Sequence, residues 1–78
     1  MMTELEWMDI FGDNLVDLLK DANMSQRELA DASGLSEATI SGYIHKRKLP
    51  RITAIINIAE ALDISIDDLV FFGDRIEV

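Results

Sequence analysis

A basic cluster in the middle of the chain is the sequence feature whose chemistry is clearest. The nine residues from Tyr43 to Arg51, YIHKRKLPR, contain four of the seven Lys and Arg side chains and the only His. Cations spaced this closely suit the phosphate oxygens of a nucleic acid, whose backbone contacts position a protein. The whole chain nevertheless carries a formal net charge of −8, which by itself disfavours polyanions and anionic membranes.

The distribution of charge along the chain resolves this conflict. Residues 1–22 contain six acidic side chains and one basic side chain, and residues 52–78 contain the same numbers. Residues 23–51 contain three acidic and five basic side chains, so they form the only positive third. A polyanionic partner is therefore expected to contact the middle third.

Other reactive chemistry is sparse in this sequence. The chain has no Cys and a single His, which excludes a thiolate zinc site, a cysteine nucleophile and a multi-histidine metal site. Asp67 and Asp68 could serve acid–base or magnesium chemistry, but helix capping and solvation explain them without it. We therefore predict a binding protein with no enzyme activity, cofactor, metal site or small-molecule ligand.

The N-terminus and the apolar stretches predict a cytoplasmic, nucleoid-associated location. The first residues, MMTELEWMDIFGDNL, are acidic where a secretory signal would be basic. The longest mostly apolar stretch, ITAIINIAEAL, is too short and too interrupted to span a bilayer. No membrane association is expected.

The spacing of apolar residues predicts an all-α fold, with five helices in one domain over residues 1–78. Trp7, Phe11 and Leu15, for example, follow one another at intervals of four and form one stripe. The predicted helices are about Glu6–Asp21, Gln26–Ser33, Glu37–His45, a fourth with Pro50 in its first turn, and Ile66–Phe71 before Gly73. The predicted apolar stripe of the fourth helix is Ile52, Ile55, Ile56, Ala59 and Leu62. Predicted capping pairs are Thr3 with Glu6, Ser25 with Glu28, and Ser65 with Asp68, and Ser36 is a further N-cap candidate.

The second and third predicted helices, joined through ASGLS, meet the requirements of a helix-turn-helix. Such a pair needs a small residue where the helices cross, a Gly in the turn and an aliphatic anchor in the second helix. Ala30, Gly34 and Ile40 supply these at spacings of four and six. The predicted motif spans about residues 25–45.

The run MSQRELADASGLSEATISGYI, followed by LPRITAIINIAEALDISIDDL, resembles a known family. It is similar to the lambda-repressor-like, Cro-type (XRE) helix-turn-helix DNA-binding domain of bacterial and phage transcription regulators. The resemblance covers about residues 10–71. It implies a compact five-helix domain that binds operator DNA, usually as a dimer, with the third helix in the major groove.

The resemblance also implies which residues contact DNA. It places base-reading positions at Glu37, Ala38 and Gly42, with Ser41 and His45 beside them. These residues form the outward face of the third helix once its large apolar side chains turn inward, so periodicity and resemblance agree. Phosphate contacts are expected from the start of the second helix, from the third helix and from the basic loop: Ser25, Gln26, Arg27, Thr39, Lys46, Arg47, Lys48 and Arg51.

Two of these positions have competing interpretations. Gly42 is predicted on the exposed face of a helix interior, where it costs about 1 kcal/mol relative to Ala. Gly42 is either a tolerated substitution without a function, or its missing side chain lets the helix or a base edge approach closely. Glu37 either complements the helix dipole or accepts a hydrogen bond from a cytosine amino group.

The sequence departs from the family pattern at three positions. Leu19 and Ile44 occupy the places where the family often has an Arg–Glu ion pair, and packed aliphatic groups can replace such a pair without loss of stability. Lys46 stands where the family has Gly after the third helix, which leaves open how that helix ends.

The function expected from these features is sequence-specific DNA binding by a transcriptional regulator. We expect a phage or bacterial repressor that binds double-stranded operator DNA as a homodimer. The alternative is a protein-interaction module, antitoxin-like or regulator-binding, whose acidic surface binds a basic partner. The apolar tail, residues 72–78, is expected either to cover the core or to lie in a dimer interface.

Overall fold

The structure, a computed structural model, describes residues 1–71. This part of the chain consists of five α-helices and no strand, which confirms the predicted all-α class. The helices are α1 (Glu4–Ala22), α2 (Gln26–Ser33), α3 (Glu37–Ile44), α4 (Ile52–Leu62) and α5 (Ile66–Phe71). The predictions for the tail and for Gly73 lie outside the described residues.

The predicted side-chain caps are present, and α1 begins at Glu4, two residues before its predicted start, because Thr3 is its N-cap. At α1, Thr3 Oγ1 accepts from the Glu6 amide and Glu6 Oε1 accepts from the Thr3 amide, at 3.2 and 3.1 Å. Ser25 and Glu28 make the same reciprocal pair at α2, with both bonds at 3.0 Å. Each pair satisfies two amides that the first helical turn leaves without a partner.

The predicted position of Pro50 in α4 is wrong. Helix α4 begins at Ile52, and Arg51 is its N-cap with an extended backbone (φ −74°, ψ 159°). The Arg51 carbonyl accepts the first helical hydrogen bond, from the Ile55 amide at 3.0 Å. Pro50 therefore lies in the loop before the helix, where its fixed φ and missing N–H suit extended chain as well as they suit a first turn.

One hydrophobic core holds the five helices together. Each helix contributes one large side chain with no exposed surface: Leu15, Leu29, Ile40, Ile58 and Leu69. Around them pack further apolar residues, including Phe11 and Tyr43, whose rings meet edge to face with centroids 5.7 Å apart. The predicted stripes of α1, α2 and α3 thus lie largely on the inward faces of the helices. The stripe predicted for α4 is wrong in part, because Ile52 and Ile56 are exposed and Ile58 is buried.

Gly12 brings α1 against the end of α3, a role the sequence does not reveal. A Cβ atom at Gly12 would lie 2.7 Å from the Tyr43 carbonyl oxygen and 3.2 Å from that of Ile44. Contacts this short with backbone atoms cannot be relieved by turning a side chain. The missing side chain is therefore what allows these two helices to approach so closely.

Asn14 connects α1 to the other end of the chain. Its side chain has no exposed surface, and its Nδ2 donates to the carbonyl oxygens of Val70 and Leu69, at 2.8 and 3.2 Å. These two hydrogen bonds join α1 to α5. None of the helices in residues 1–71 is long and apolar enough to cross a membrane.

Candidate nucleic-acid interface

Helices α2 and α3 form the predicted helix-turn-helix. Gly34 ends α2 in the left-handed region (φ +74°), as its position in ASGLS predicts. A Cβ atom there would meet nothing within 4 Å, so the glycine serves the backbone conformation and not a close contact. Ser36 then caps α3, because its Oγ accepts from the Thr39 amide at 3.0 Å.

The outer face of α3 presents most of the predicted base-reading residues. Ile40 and Tyr43 are buried, and this fixes which side of the helix faces outward. Glu37, Ala38 and His45 are exposed and Ser41 is half-buried. These four occur at i, i+1, i+4 and i+8, so they share one side of the helix, within reach of a partner laid along it.

Gly42 is not on an exposed face, contrary to the prediction. It is buried, and a Cβ atom there would lie 3.1 Å from Cδ and 3.3 Å from Cε of Lys48. The loop after α3 turns back, so the methylene chain of Lys48 lies across Gly42. Periodicity within α3 could not show this, because the covering side chain comes from outside the helix.

Helix α3 ends with a left-handed lysine. His45 is the C-cap, and Lys46 follows with φ +63°. The Lys46 amide donates to the Tyr43 carbonyl (3.1 Å) and the Arg47 amide donates to the Gly42 carbonyl (2.9 Å). This is the Schellman pattern, in which Gly is usual at the left-handed position. The helix thus ends as it would with Gly, and one residue earlier than predicted.

The side chain of Lys46 points away from the other cations of the basic cluster. Its ammonium group lies 2.7 Å from Asp9 Oδ1 and 2.8 Å from Asp13 Oδ1, both on α1. The hydrogen bonds to Asp13 and then Asp9 raise the pKa of Lys46 above its ordinary value. No other ion pair is recorded within residues 1–71, so Arg47, Lys48 and Arg51 keep their charges available at the surface.

A surface groove brings together three predicted phosphate-binding residues. The groove has a volume of about 550 Å³ and is lined by Thr39, Tyr43, Lys48, Leu49 and Arg51. Thr39 comes from α3, whereas Lys48 and Arg51 come from the loop that follows. The left-handed turn at Lys46 reverses the chain and so places these donors on one side. Two cations and a hydroxyl around an open groove can bind a phosphate oxygen.

The start of α2 lies beside a second groove, of about 500 Å³. Ser25 and Gln26 line it together with residues of α1. The Ser25 side chain is occupied by its cap, but the amides of Gln26 and Arg27 belong to the first turn, which has no intrahelical acceptors for them. Gln26 is half-buried and Arg27 is exposed. The geometry suits contact with one phosphate along this edge.

Leu19 and Ile44, two positions at which the sequence departs from the family pattern, pack in or against the hydrophobic core. Leu19 is buried and Ile44 packs against the core cluster, so two apolar side chains fill the place of an ion pair. Asp67 and Asp68 lie in the first turn of α5, where carboxylates complement the helix dipole. Within residues 1–71 no group of three or more His, Asp or Glu side chains is arranged to hold a metal ion.

Tyr43 provides a direct test of the groove geometry. Burial raises the pKa of Tyr43 above its ordinary value of 10.0, while the charge of nearby Arg51 acts in the opposite direction. The folded protein therefore holds this proton more tightly than the unfolded chain does, so the free energy of unfolding should fall as pH rises above 10.0. Because the chain has one Tyr, its tyrosinate absorbance reports this group alone.

We expect a tyrosinate midpoint above 10.0 in the folded protein and a higher midpoint in Arg51→Ala. Arg51 caps α4 without a side-chain hydrogen bond, so this variant should fold normally. A wild-type midpoint at or below 10.0 would contradict the dominant effect of burial, and a lower midpoint in the variant would show that Arg51 does not lie beside the Tyr43 hydroxyl.

Comparison with known families identifies the motif. The family model for the helix-turn-helix family HTH_3 matches residues 15–69, from the middle of α1 to α5. The chain belongs to this helix-turn-helix family. The predicted resemblance to XRE-type domains is thereby confirmed.

Solved structures of helix-turn-helix proteins have the same fold. The restriction-modification controller protein C.AhdI from Aeromonas hydrophila superposes with a TM-score of 0.77 and 31% sequence identity, over 80% of this chain and 94% of that one. An HTH_3 family transcriptional regulator from Vibrio cholerae gives a TM-score of 0.86 at 24% identity, over 92% of this chain and 40% of that one.

A third structure, the hypothetical transcription factor NHTF from Neisseria, gives 0.82 at 23% identity, over 96% of this chain and 86% of that one. A search of curated proteins found no match. Membership of the helix-turn-helix family, together with the controller protein, supports a DNA-binding regulator as the general function of this chain.

Proposed function

We propose that this chain is a sequence-specific DNA-binding repressor whose α3 enters the major groove of double-stranded operator DNA. The observation that carries the proposal is the outer side of α3. Glu37, Ala38, Ser41 and His45 line it, while Ile40 anchors the opposite side in the core. A major groove about 12 Å wide admits one helix, and short polar side chains on that helix can reach base edges.

Phosphate contacts on both sides of α3 would hold it in the groove. On one side are Gln26 and Arg27 at the start of α2. On the other are Thr39, Lys48 and Arg51 in their shared groove, with Arg47 exposed beside them. Such contacts fix the register and angle of the helix without reading sequence. We leave Lys46 out of this set because α1 already binds its ammonium group.

Glu37 is assigned to cytosine in this proposal. It lies exposed in the first turn of α3, the end of a recognition helix that reaches deepest into the groove. A carboxylate there accepts from the cytosine amino group and repels phosphates. It should therefore weaken binding to sequences that offer no such donor.

We further propose that the chain acts as a homodimer. Three isoleucines are exposed on the side formed by α4 and α5: Ile52 at 63%, Ile56 at 37% and Ile66 at 42%. Ile52 and Ile56 are one turn apart on α4, so they share a face that a second copy could cover. A two-fold dimer would bind a palindrome whose half-sites are about 10 base pairs, or one helical turn, apart.

We propose repression as the mode of regulation, for the case in which the operator overlaps a promoter. A dimer bound to an operator covers the DNA that a polymerase would have to occupy, so occupancy itself blocks transcription. The 31% identical C.AhdI is a restriction-modification controller, and this supports a regulatory role here as well. We place the activity in the cytoplasm, on nucleoid DNA.

Selection from random double-stranded DNA tests the proposed function. We expect enrichment of a palindromic motif, followed by binding whose affinity falls as the salt concentration rises. Each neutralised phosphate contributes a slope of about −0.9 in log K against log salt, so the four cations proposed to contact phosphate, Arg27, Arg47, Lys48 and Arg51, correspond to a slope of roughly −4 per subunit. Failure to enrich any motif at low salt would refute the proposal and favour a protein partner for the acidic surface.

A further inference from the structure

Lys46 lies within the basic cluster, yet its charge is already bound. Its ammonium group is 2.7 Å from Asp9 Oδ1 and 2.8 Å from Asp13 Oδ1. Arg47 and Lys48 follow directly and have no such partners within the part of the chain that the structure describes. The cation nearest the end of the proposed recognition helix is thus the one that α1 holds.

The absence of a side chain at Gly12 leaves room for the Lys46 side chain to lie against α1. A Cβ atom at Gly12 would lie 3.1 Å from Lys46 Cγ, so the lysine side chain passes over α1 at the glycine. Asp9 and Asp13 are one turn apart on the same helix, where two like charges repel each other. A cation bound to both relieves this repulsion and joins the end of α3 to α1.

The backbone of Lys46 points to a role for its side chain. Lys46 adopts φ +63°, a conformation that Gly reaches without cost and that other residues reach only against steric strain. The Schellman bonds at this position involve backbone atoms alone, so a Gly would end α3 equally well. The side chain of Lys46, unlike its backbone, makes contacts that a Gly could not make.

We propose that Asp9, Asp13 and Lys46 form a charge lock that sets the DNA specificity of the protein. The lock keeps one cation off the phosphates and fixes the C-terminal end of α3 against α1. This inference rests on the proposed DNA-binding function. Non-specific binding depends on phosphate contacts, whereas specific binding also depends on the position of α3. The lock therefore weakens non-specific binding and supports specific binding.

The double variant Asp9→Asn, Asp13→Asn tests the lock in the full chain. Both side chains are substantially exposed, 63% and 43%, and Asn has nearly the same shape, so the variant should fold. Released Lys46 then reaches a phosphate. We expect the salt slope to steepen by about 0.9 per subunit and non-specific affinity to rise about five- to ten-fold at 0.1 M salt, so the specific-to-non-specific ratio falls.

A matched control separates the effect of losing the lock from the effect of changing the net charge. Glu4→Gln, Asp21→Asn removes the same two charges from exposed ends of α1, away from Lys46. It should leave the salt slope unchanged. An unchanged slope and ratio in the Asp9, Asp13 variant, or an equal change in the control, would overturn the lock.

Lys46→Gly provides the opposite test. It keeps the left-handed turn and removes the cation, so a locked lysine predicts an unchanged salt slope. A slope shallower by about 0.9 per subunit would instead show that Lys46 contacts phosphate and would overturn the lock. If the wild-type protein binds no duplex, the proposed function fails, and the role of the lock in specificity fails with it.

A titration of Lys46 by NMR tests whether the ion pairs form, independently of DNA binding. It therefore distinguishes failure of the ion pairs from failure of the proposed function. The pKa of Lys46 should lie above 10.5 in the wild-type protein and fall towards that value in the Asp9, Asp13 variant. A wild-type pKa at or below 10.5 would show that the ion pairs do not form in solution, whatever the DNA measurements give.

Discussion

Replacing Gly12 with Ala is expected to reduce the free energy of unfolding by roughly 1–3 kcal/mol, although Ala is the better helix former. The new Cβ atom would lie 2.7 Å from the Tyr43 carbonyl oxygen, and that carbonyl belongs to the backbone of α3. Helix propensity favours Ala by only about 1 kcal/mol, so overpacking should decide the sign. Chemical denaturation measures the difference, and in a domain of this size each 1 kcal/mol corresponds to roughly 4–8 °C in Tm.

Gly42→Ala is the matched control for this prediction. It makes the same substitution inside a helix, but its Cβ atom meets only the methylene groups of Lys48, at 3.1–3.3 Å. A flexible surface side chain can move aside, so the control should be nearly neutral or slightly stabilising. Equal stability of the two variants would contradict the close contact between α1 and the end of α3.

Removing the free cations of the loop is expected to have the largest effect on DNA binding. The triple variant Arg47→Ala, Lys48→Ala, Arg51→Ala should lose roughly two to three orders of magnitude in affinity per subunit at 0.1 M salt, since each phosphate contact contributes a salt exponent of about 0.9. Its salt slope should become shallower by about 2.7 per subunit. Fluorescence anisotropy with a labelled duplex measures both.

Anisotropy measurements with a shuffled duplex provide the control for the triple variant. Phosphate contacts carry no sequence information, so affinity for the selected duplex and for a shuffled duplex should fall by similar factors. Arg47 and Lys48 are exposed and Arg51 makes no side-chain cap, so the fold should persist, as circular dichroism can verify. Affinity that is unaffected by the triple substitution would place the DNA-binding surface elsewhere or favour a protein partner.

Local chemistry explains which parts of the fold could be predicted from the sequence. The bounds of α2 and the first residue of α5 agree with the prediction, and those of α2 do so because Ser25 with Glu28 begins the helix and a left-handed Gly34 ends it. The apolar stripes predicted for α1, α2 and α3 contain their buried side chains Leu15, Leu29 and Ile40, since a period of 3.6 residues leaves one face for the core. The stripe predicted for α4 missed the buried Ile58, because most positions of that helix are apolar and periodicity alone does not choose its inner face. The outer side of α3 follows from the same periodicity.

Contacts between distant parts of the chain explain what could not be predicted. Gly12 meets carbonyls more than thirty positions away, and Asn14 binds the last turn of α5. Neither residue stands out in the sequence, because a helix interior gives no sign of what crosses it. Gly42 was placed wrongly for the same reason, since Lys48 covers it from outside α3.

The basic cluster could be predicted from the sequence only in part. Its charge predicted a polyanion partner, but the side-chain directions depend on tertiary structure. Lys46 turns towards α1, whereas Lys48 and Arg51 meet Thr39 in one groove. The four Lys and Arg side chains of the cluster therefore divide into one contact with α1, made by Lys46, and a proposed phosphate-binding surface.

The central claim is that the outer face of α3 reads DNA sequence, and the ratio of two dissociation constants tests it most directly. One is measured for the duplex obtained by selection and the other for a shuffled duplex of the same composition, at one salt concentration. We predict that the selected duplex binds at least about 10³-fold more tightly. Equal dissociation constants would contradict sequence reading by α3 and would leave only the charge of the loop to account for any binding.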